Sequence, residues 1–194
     1  MIDRQQFFDP DRLAELEGIS EAAWPLFGVL WPSARVLALE MTTLALSGQR
    51  ILEVGCGLAL ASLVLHRREG DVTGSDCHPL VPAFLAHNLE LNALGAMPYE
   101  RANWGRTNPD LGRFDLIIGS DVLYEAGQPG VLSRFIDEHL ERDGRVMLVD
   151  PNRRQRARFS RDMEDRGFGL QSTSVRAAPG LDERYRGRLL EYER

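Results

Sequence analysis

Ile51-Leu52-Glu53-Val54-Gly55-Cys56-Gly57 is the stretch whose reading decides the fold. An apolar run ends in two glycines that flank one small residue. A buried strand followed by a tight turn into a helix has this form. Glycine is needed where another molecule must approach the backbone closely. The next strand-like segment, Asp71-Val72-Thr73-Gly74-Ser75-Asp76, ends on a carboxylate 19 residues after Gly57. In open α/β sheets the ligand sits beyond the carboxyl ends of the strands, and an acid at the tip of the second strand can accept from ribose hydroxyls. The pair therefore describes a site for an adenosine-bearing cofactor. For Asp76 the alternative is an N-terminal cap on the helix that Pro79 opens.

The surrounding chain follows the same pattern. Strands are predicted at about 50–54, 71–76, 97–102, 114–119 and 144–150, with helices at about 58–68, 79–94, 129–140 and 153–166 between or after them. Two last strands, near 169–176 and 186–193, are separated only by a loop. Before the first strand, a short helical stretch falls near Pro10–Ala23, and a helix runs from Trp31-Pro32-Ser33 to about Leu46. Proline suits a first helical turn, where its missing N–H costs nothing. Strands alternating with helices imply an α/β, Rossmann-like fold: a seven-stranded, mostly parallel sheet covered on both faces. The closing strand pair implies an antiparallel hairpin at one edge. Residues 1–194 read as one domain, with 1–30 as an N-terminal extension.

Composition narrows the partners. The 194 residues carry a formal charge of −6, which argues against a nucleic-acid backbone as partner. No run is apolar enough to span a bilayer, and no signal-peptide pattern is present. Cys56 and Cys77 make no disulfide framework, so a cytoplasmic protein with free thiols is expected. His66, His78, His87 and His139 show no metal-ligand spacing, and no metal is expected. All 23 basic residues are arginine, which reads first as a genomic composition bias. The basic stretch Arg153–Arg158 reads as a solvated helix face.

Two further segments carry chemistry. Asn103-Trp104 follows the third strand, where a polar side chain can read an adenine edge and an indole can lie near the ring. Phe114-Asp115-Leu116-Ile117-Ile118-Gly119-Ser120-Asp121-Val122-Leu123-Tyr124 ends a strand that should neighbour the first one, at the point where the sheet order reverses. Asp121 and Tyr124 are therefore predicted to face the reacting group. A dinucleotide reading is disfavoured, because Leu60 stands where G-x-G-x-x-G needs a small residue for helix packing.

On these motifs the chain resembles the class I, seven-strand S-adenosylmethionine-dependent methyltransferases. Within them it is similar to the protein-lysine methyltransferases that carry a D-x-x-Y motif. The resemblance covers about residues 28–150. It rests on Gly28-Val29-Leu30-Trp31-Pro32-Ser33-Ala34, Leu52-Glu53-Val54-Gly55-Cys56-Gly57, Asp76 with Asn88 and Asn92, Trp104-Gly105, and Asp121-Val122-Leu123-Tyr124. Two positions depart from the pattern: Ala59 replaces a usual glycine, and Asn103 a frequent acid. The resemblance implies S-adenosylmethionine as cofactor. Trp31, Glu53, Gly55, Gly57, Asp76, Trp104 and Ser120 would bind it, and Asp121 and Tyr124 would form the catalytic acceptor channel. The implied acceptor is a protein lysine. The alternatives are a small-molecule amine, as in nicotinamide-type N-methyltransferases, and a catalytically silent cofactor-binding module.

Overall fold

The computed structural model describes residues 23–176 and 185–194, together with Leu13, Leu16, Ile19 and Ser20. The predicted helical stretch at Pro10–Ala23 therefore lies largely outside the described residues. Seven strands form one sheet: β1 (Arg50–Val54), β2 (Asp71–Asp76), β3 (Tyr99–Arg101), β4 (Phe114–Ser120), β5 (Leu140–Asp150), β6 (Gly169–Val175) and β7 (Gly187–Glu193). Among the described residues these α-helices accompany them: α1 (Pro32–Thr43), α2 (Leu60–Arg67), α3 (Val81–Leu91), α4 (Gln128–His139) and α5 (Arg156–Glu164). The strand order is β3-β2-β1-β4-β5-β7-β6. The first five strands run parallel to one another, and β7 runs antiparallel to both β5 and β6. The last strand slots inside the hairpin, so β6 rather than β7 forms the edge.

Side-chain alternation along the strands builds two cores. Ile51, Leu116, Ile118, Met147 and Val149 face one side, where α1, α2 and α3 contribute Leu37, Met41, Leu65 and Leu85. Leu52, Val54, Ile117, Val146 and Leu148 face the other, against Leu132, Phe135 and Ile136 of α4 and Phe159 and Met163 of α5. A strand buried on both faces needs apolar side chains at every position, which is why β1 and β4 read as continuous apolar runs. Arg68 caps the other end of this arrangement. Its guanidinium donates to the carbonyls of Met41 and, at 2.8 Å, Leu44, closing the C-terminus of α1.

Several boundaries differ from the periodicity, each with a cause. Helix α2 starts two residues late because Gly57 (φ 50°) and Ala59 (φ 57°) are both left-handed and use up the turn. Helix α5 starts at Arg156 rather than 153, because Asn152 (φ 64°) breaks the backbone first. Strand β5 begins at Leu140 rather than 144, passing a register irregularity opposite Phe114 and Leu116.

Glu53 is the polar exception on β1. Its carboxylate is 2% exposed and accepts from the backbone N–H (2.8 Å) and the hydroxyl of Ser62 in α2. Burial pushes this carboxyl up to about 7, and the Ser62 bonds only partly oppose that. Between pH 4.5 and 7 the folded chain then holds a proton that the unfolded chain has lost. Stability falls as pH rises through that window and levels off above it. The effect of Glu53 alone is about 3 kcal/mol. Glu53→Gln should remove that part of the fall, and urea unfolding at pH 5 and pH 8 would measure it. An unchanged pH slope in the variant would mean that Glu53 is not protonated on folding.

Candidate active site

At the carboxyl ends of β1, β2 and β4 lies one cavity of about 710 Å³. The glycine turn forms its floor. Gly55 has φ 59°, and a Cβ there would come within 3.0 Å of the Val122 side chain and 3.5 Å of the Trp104 indole. Gly57 has φ 50°, and a Cβ would stand 2.7 Å from the Phe27 carbonyl oxygen. Side chains are excluded at both positions by conformation and by space. Ala59, the departure from the glycine pattern, is fully buried, left-handed and part of the cavity wall. Asn88 of α3 braces the turn by donating to the Leu58 carbonyl at 3.1 Å.

Asp76 crosses from β2 to this turn. One carboxylate oxygen accepts from the Gly57 N–H at 3.0 Å and the other from the His78 N–H at 2.9 Å. It does not cap α3, whose N-cap is Leu80 with no side-chain cap hydrogen bond. Burial raises its pKa, and the backbone donors of His78, Gly57 and Cys77 counter this. A carboxylate has about four acceptor positions. The backbone takes up to three of them, and Asp76 lines the cavity, so acceptor capacity remains for a hydroxyl donor.

Trp31, Gly55, Gly57, Asp76, Trp104, Ser120, Asp121 and Tyr124 all line this one cavity, and Asn103 joins them. Glu53 does not: it is turned toward Ser62 beneath the glycine turn, which it supports from below. Its predicted place among the lining residues is corrected accordingly. The reason is register, since Glu53 shares the face of Ile51, toward α2. The Trp31 indole N–H donates to the Leu26 carbonyl at 3.1 Å, which fixes it at the mouth. Asn103 accepts from the Gly105 N–H at 2.9 Å, closing a turn that presents Trp104.

At the tip of β4, Asp121 is left-handed (φ 55°) and buried, and its N–H donates to the Val149 carbonyl at 2.9 Å. A non-glycine residue in this conformation is held there by its surroundings. Both carboxylate oxygens accept from Arg153, at 2.7 Å from Nε and 2.9 Å from the terminal nitrogen. The expectation that Arg153–Arg158 forms a solvated helix face fails at its first residue. Arg153 precedes α5, and its backbone N–H donates to Asp150 at 2.9 Å. Sequence reasoning missed it because its partners come from the ends of two other strands. Asp150 itself is 1% exposed, and burial pushes its carboxyl up to about 6. Tyr124 is 45% exposed, and burial of its hydroxyl together with the Glu125 charge pushes the phenol up to about 12. Its phenol therefore keeps its proton at neutral pH.

Turn, acid and volume together fit S-adenosylmethionine. A backbone too bare to obstruct a ligand lies beside a carboxylate with acceptor capacity left, in a space large enough for a nucleoside and an entering side chain. The sheet order and the placing of this site are those of the class I S-adenosylmethionine-dependent methyltransferase fold. The family profile described as "Lysine methyltransferase" matches residues 19–166, so the chain belongs to that family. It is 32% identical over 151 residues to the Protein N-lysine methyltransferase METTL21A of Danio rerio, covering 72% of this chain and 66% of that protein. It is 25% identical over 136 residues to the Electron transfer flavoprotein beta subunit lysine methyltransferase of Mus musculus, covering 68% of this chain and 52% of that protein. The matches thus span a half to two thirds of these relatives' lengths. Among solved structures, the Precorrin-6y C5,15-methyltransferase of Geobacter metallireducens superposes with a TM-score of 0.67 at 16% identity, covering 100% of this chain and 98% of that one. That likeness concerns the fold. Among the described residues no helix is long and apolar enough to cross a membrane, and no cluster of ligating side chains could hold a metal ion.

Proposed function

We propose that this chain transfers a methyl group from S-adenosylmethionine to the side-chain amine of a protein lysine. The observation that carries this reading is the continuity of the cavity. It runs from the glycine turn and Asp76 to Asp121 and Tyr124, and it opens at a half-exposed Tyr124 and at Leu30, which is 39% exposed. An open, partly apolar mouth suits a side chain arriving from a protein surface. The relatives named for lysine methylation support the same acceptor.

In this reading Asp76 holds the ribose hydroxyls, Gly55 and Gly57 let the cofactor lie on the backbone, and Asn103 and Trp104 border the adenine. Ser120 and Trp31 complete the wall. When bound, the cofactor would supply a methyl on a sulfonium: an amine that has already given its one proton to water takes the methyl on its lone pair, sulfur becomes neutral, and the product is a methylammonium. The protein has no nucleophile to build. It orients the amine, and orientation alone can supply about 7–11 kcal/mol. A free lysine has a pKa of about 10.4, so it must arrive or become neutral first. Asp121 and Tyr124 border that route. Tyr124 offers a neutral hydroxyl to the amine or its ring face to a methylated cation. The two free cysteines fit a reducing, cytoplasmic setting.

Incubating demethylated lysate with the protein and isotopically labelled S-adenosylmethionine, then mapping label by mass spectrometry, tests this directly. Label on lysine Nζ is expected. Label confined to small-molecule amines would move the assignment to the nicotinamide-type reading.

A further inference from the structure

The Asp121–Arg153 pair stands in the wall of the acceptor end of the cavity. Both oxygens of Asp121 are engaged in a fork-on-fork geometry, the arrangement that best fixes a carboxylate. The Asp121 side chain is 7% exposed, whereas that of Arg153 is 39% exposed. The cation is thus the more accessible member of the pair. Other charged and titratable groups face the same region from every neighbouring element: Tyr124 and Glu125 after β4, Asp150 at the end of β5, Arg156 in α5, Tyr185 before β7, and Asp76 and Cys77 across the cavity. Tyr185 is tied to Ser33 of α1 at 3.0 Å, and Asp150 is tied to the Arg153 backbone.

A bare carboxylate at this position would hold an entering lysine as its ammonium, which has no lone pair to give. An opposite charge within about 4–6 Å raises an amine pKa by roughly 1–3 units. A guanidinium clamped onto that carboxylate cancels the effect and presents a like charge to the ammonium.

We propose that Arg153 is a positioning residue of the acceptor channel: by clamping Asp121 it neutralises the carboxylate, so that the channel receives the acceptor amine in its neutral form. This rests on the lysine reading above. The acceptor's proton goes to solvent water before the amine settles, and no further oxidant, reductant or co-reactant is involved.

The test is the pH dependence of kcat for methylation of a peptide carrying the lysine labelled in lysate, in the full chain. Wild type, Arg153→Gln, Arg153→Lys and Asp121→Asn are compared. Arg153→Gln frees the carboxylate, so its acidic limb should move alkaline by about one unit or more, with a roughly tenfold lower rate at pH 8. Asp121→Asn leaves the guanidinium unopposed, so its limb should move the other way, with a raised KM for the peptide. Arg153→Lys keeps the charge and should leave the limb near its wild-type position. The Asp121→Asn shift remains diagnostic if Arg153→Gln, with its unpaired buried acid, fails to fold. A uniform loss of rate in these variants with an unmoved limb would make Arg153 a structural brace and overturn the proposal, leaving lysine methylation intact. A wild type that labels no lysine at any pH would overturn both.

Discussion

Asp76→Ala should weaken binding of S-adenosylhomocysteine by about one to two orders of magnitude, read by calorimetry on the folded variant. Hydrogen bonds to an ionised group contribute about 1.5–3 kcal/mol each, and a hundredfold loss corresponds to about 2.7 kcal/mol. Part of the loss comes through the turn, because Asp76 also accepts from Gly57 and thereby fixes the bare backbone against which the cofactor rests. The turn has other supports in the Asn88 bond to Leu58 and the Cys56 N–H bond to the Ser75 carbonyl at 2.9 Å. The variant is therefore expected to fold. Unchanged affinity in a folded variant would remove Asp76 from the cofactor site.

The second large effect falls at the other end of the cavity. Asp121→Asn and Tyr124→Phe should each lower methyl transfer by about 10–100-fold, while S-adenosylhomocysteine affinity changes little. Misplacement of a reacting group by about 1 Å already costs on the order of a hundredfold. Asp121 is held at the tip of β4 by both of its bonds to Arg153. Steady-state kinetics beside calorimetry separates the two outcomes. An equal loss of cofactor affinity would reassign both residues to cofactor binding.

The relation between sequence and site is uneven, for reasons that particular residues make plain. The parallel core was legible because β1 and β4 are short apolar runs ending in glycine or serine. The place of Asp76 beside the glycine turn was legible because its distance from that turn is set by one helix and one strand. The Ala59 turn was not, since an alanine gives no sign of the left-handed conformation it takes. Glu53 came from the resemblance alone, and alternation along β1 turns it to Ser62 rather than into the cavity. Arg153 was missed because an ion pair between the ends of β4 and the β5–α5 loop leaves no local pattern. A run of arginines before a helix looks the same whether its first member points to water or into a cavity.

The most direct measurement is a crystal structure of the protein with S-adenosylhomocysteine. The ribose hydroxyls should lie on the Asp76 carboxylate, the adenine beside Asn103 and Trp104, and the sulfur toward Ser120, Asp121 and Tyr124. A ligand bound elsewhere on the chain, or no binding at millimolar concentration, would contradict the assignment of this cavity to methyl transfer.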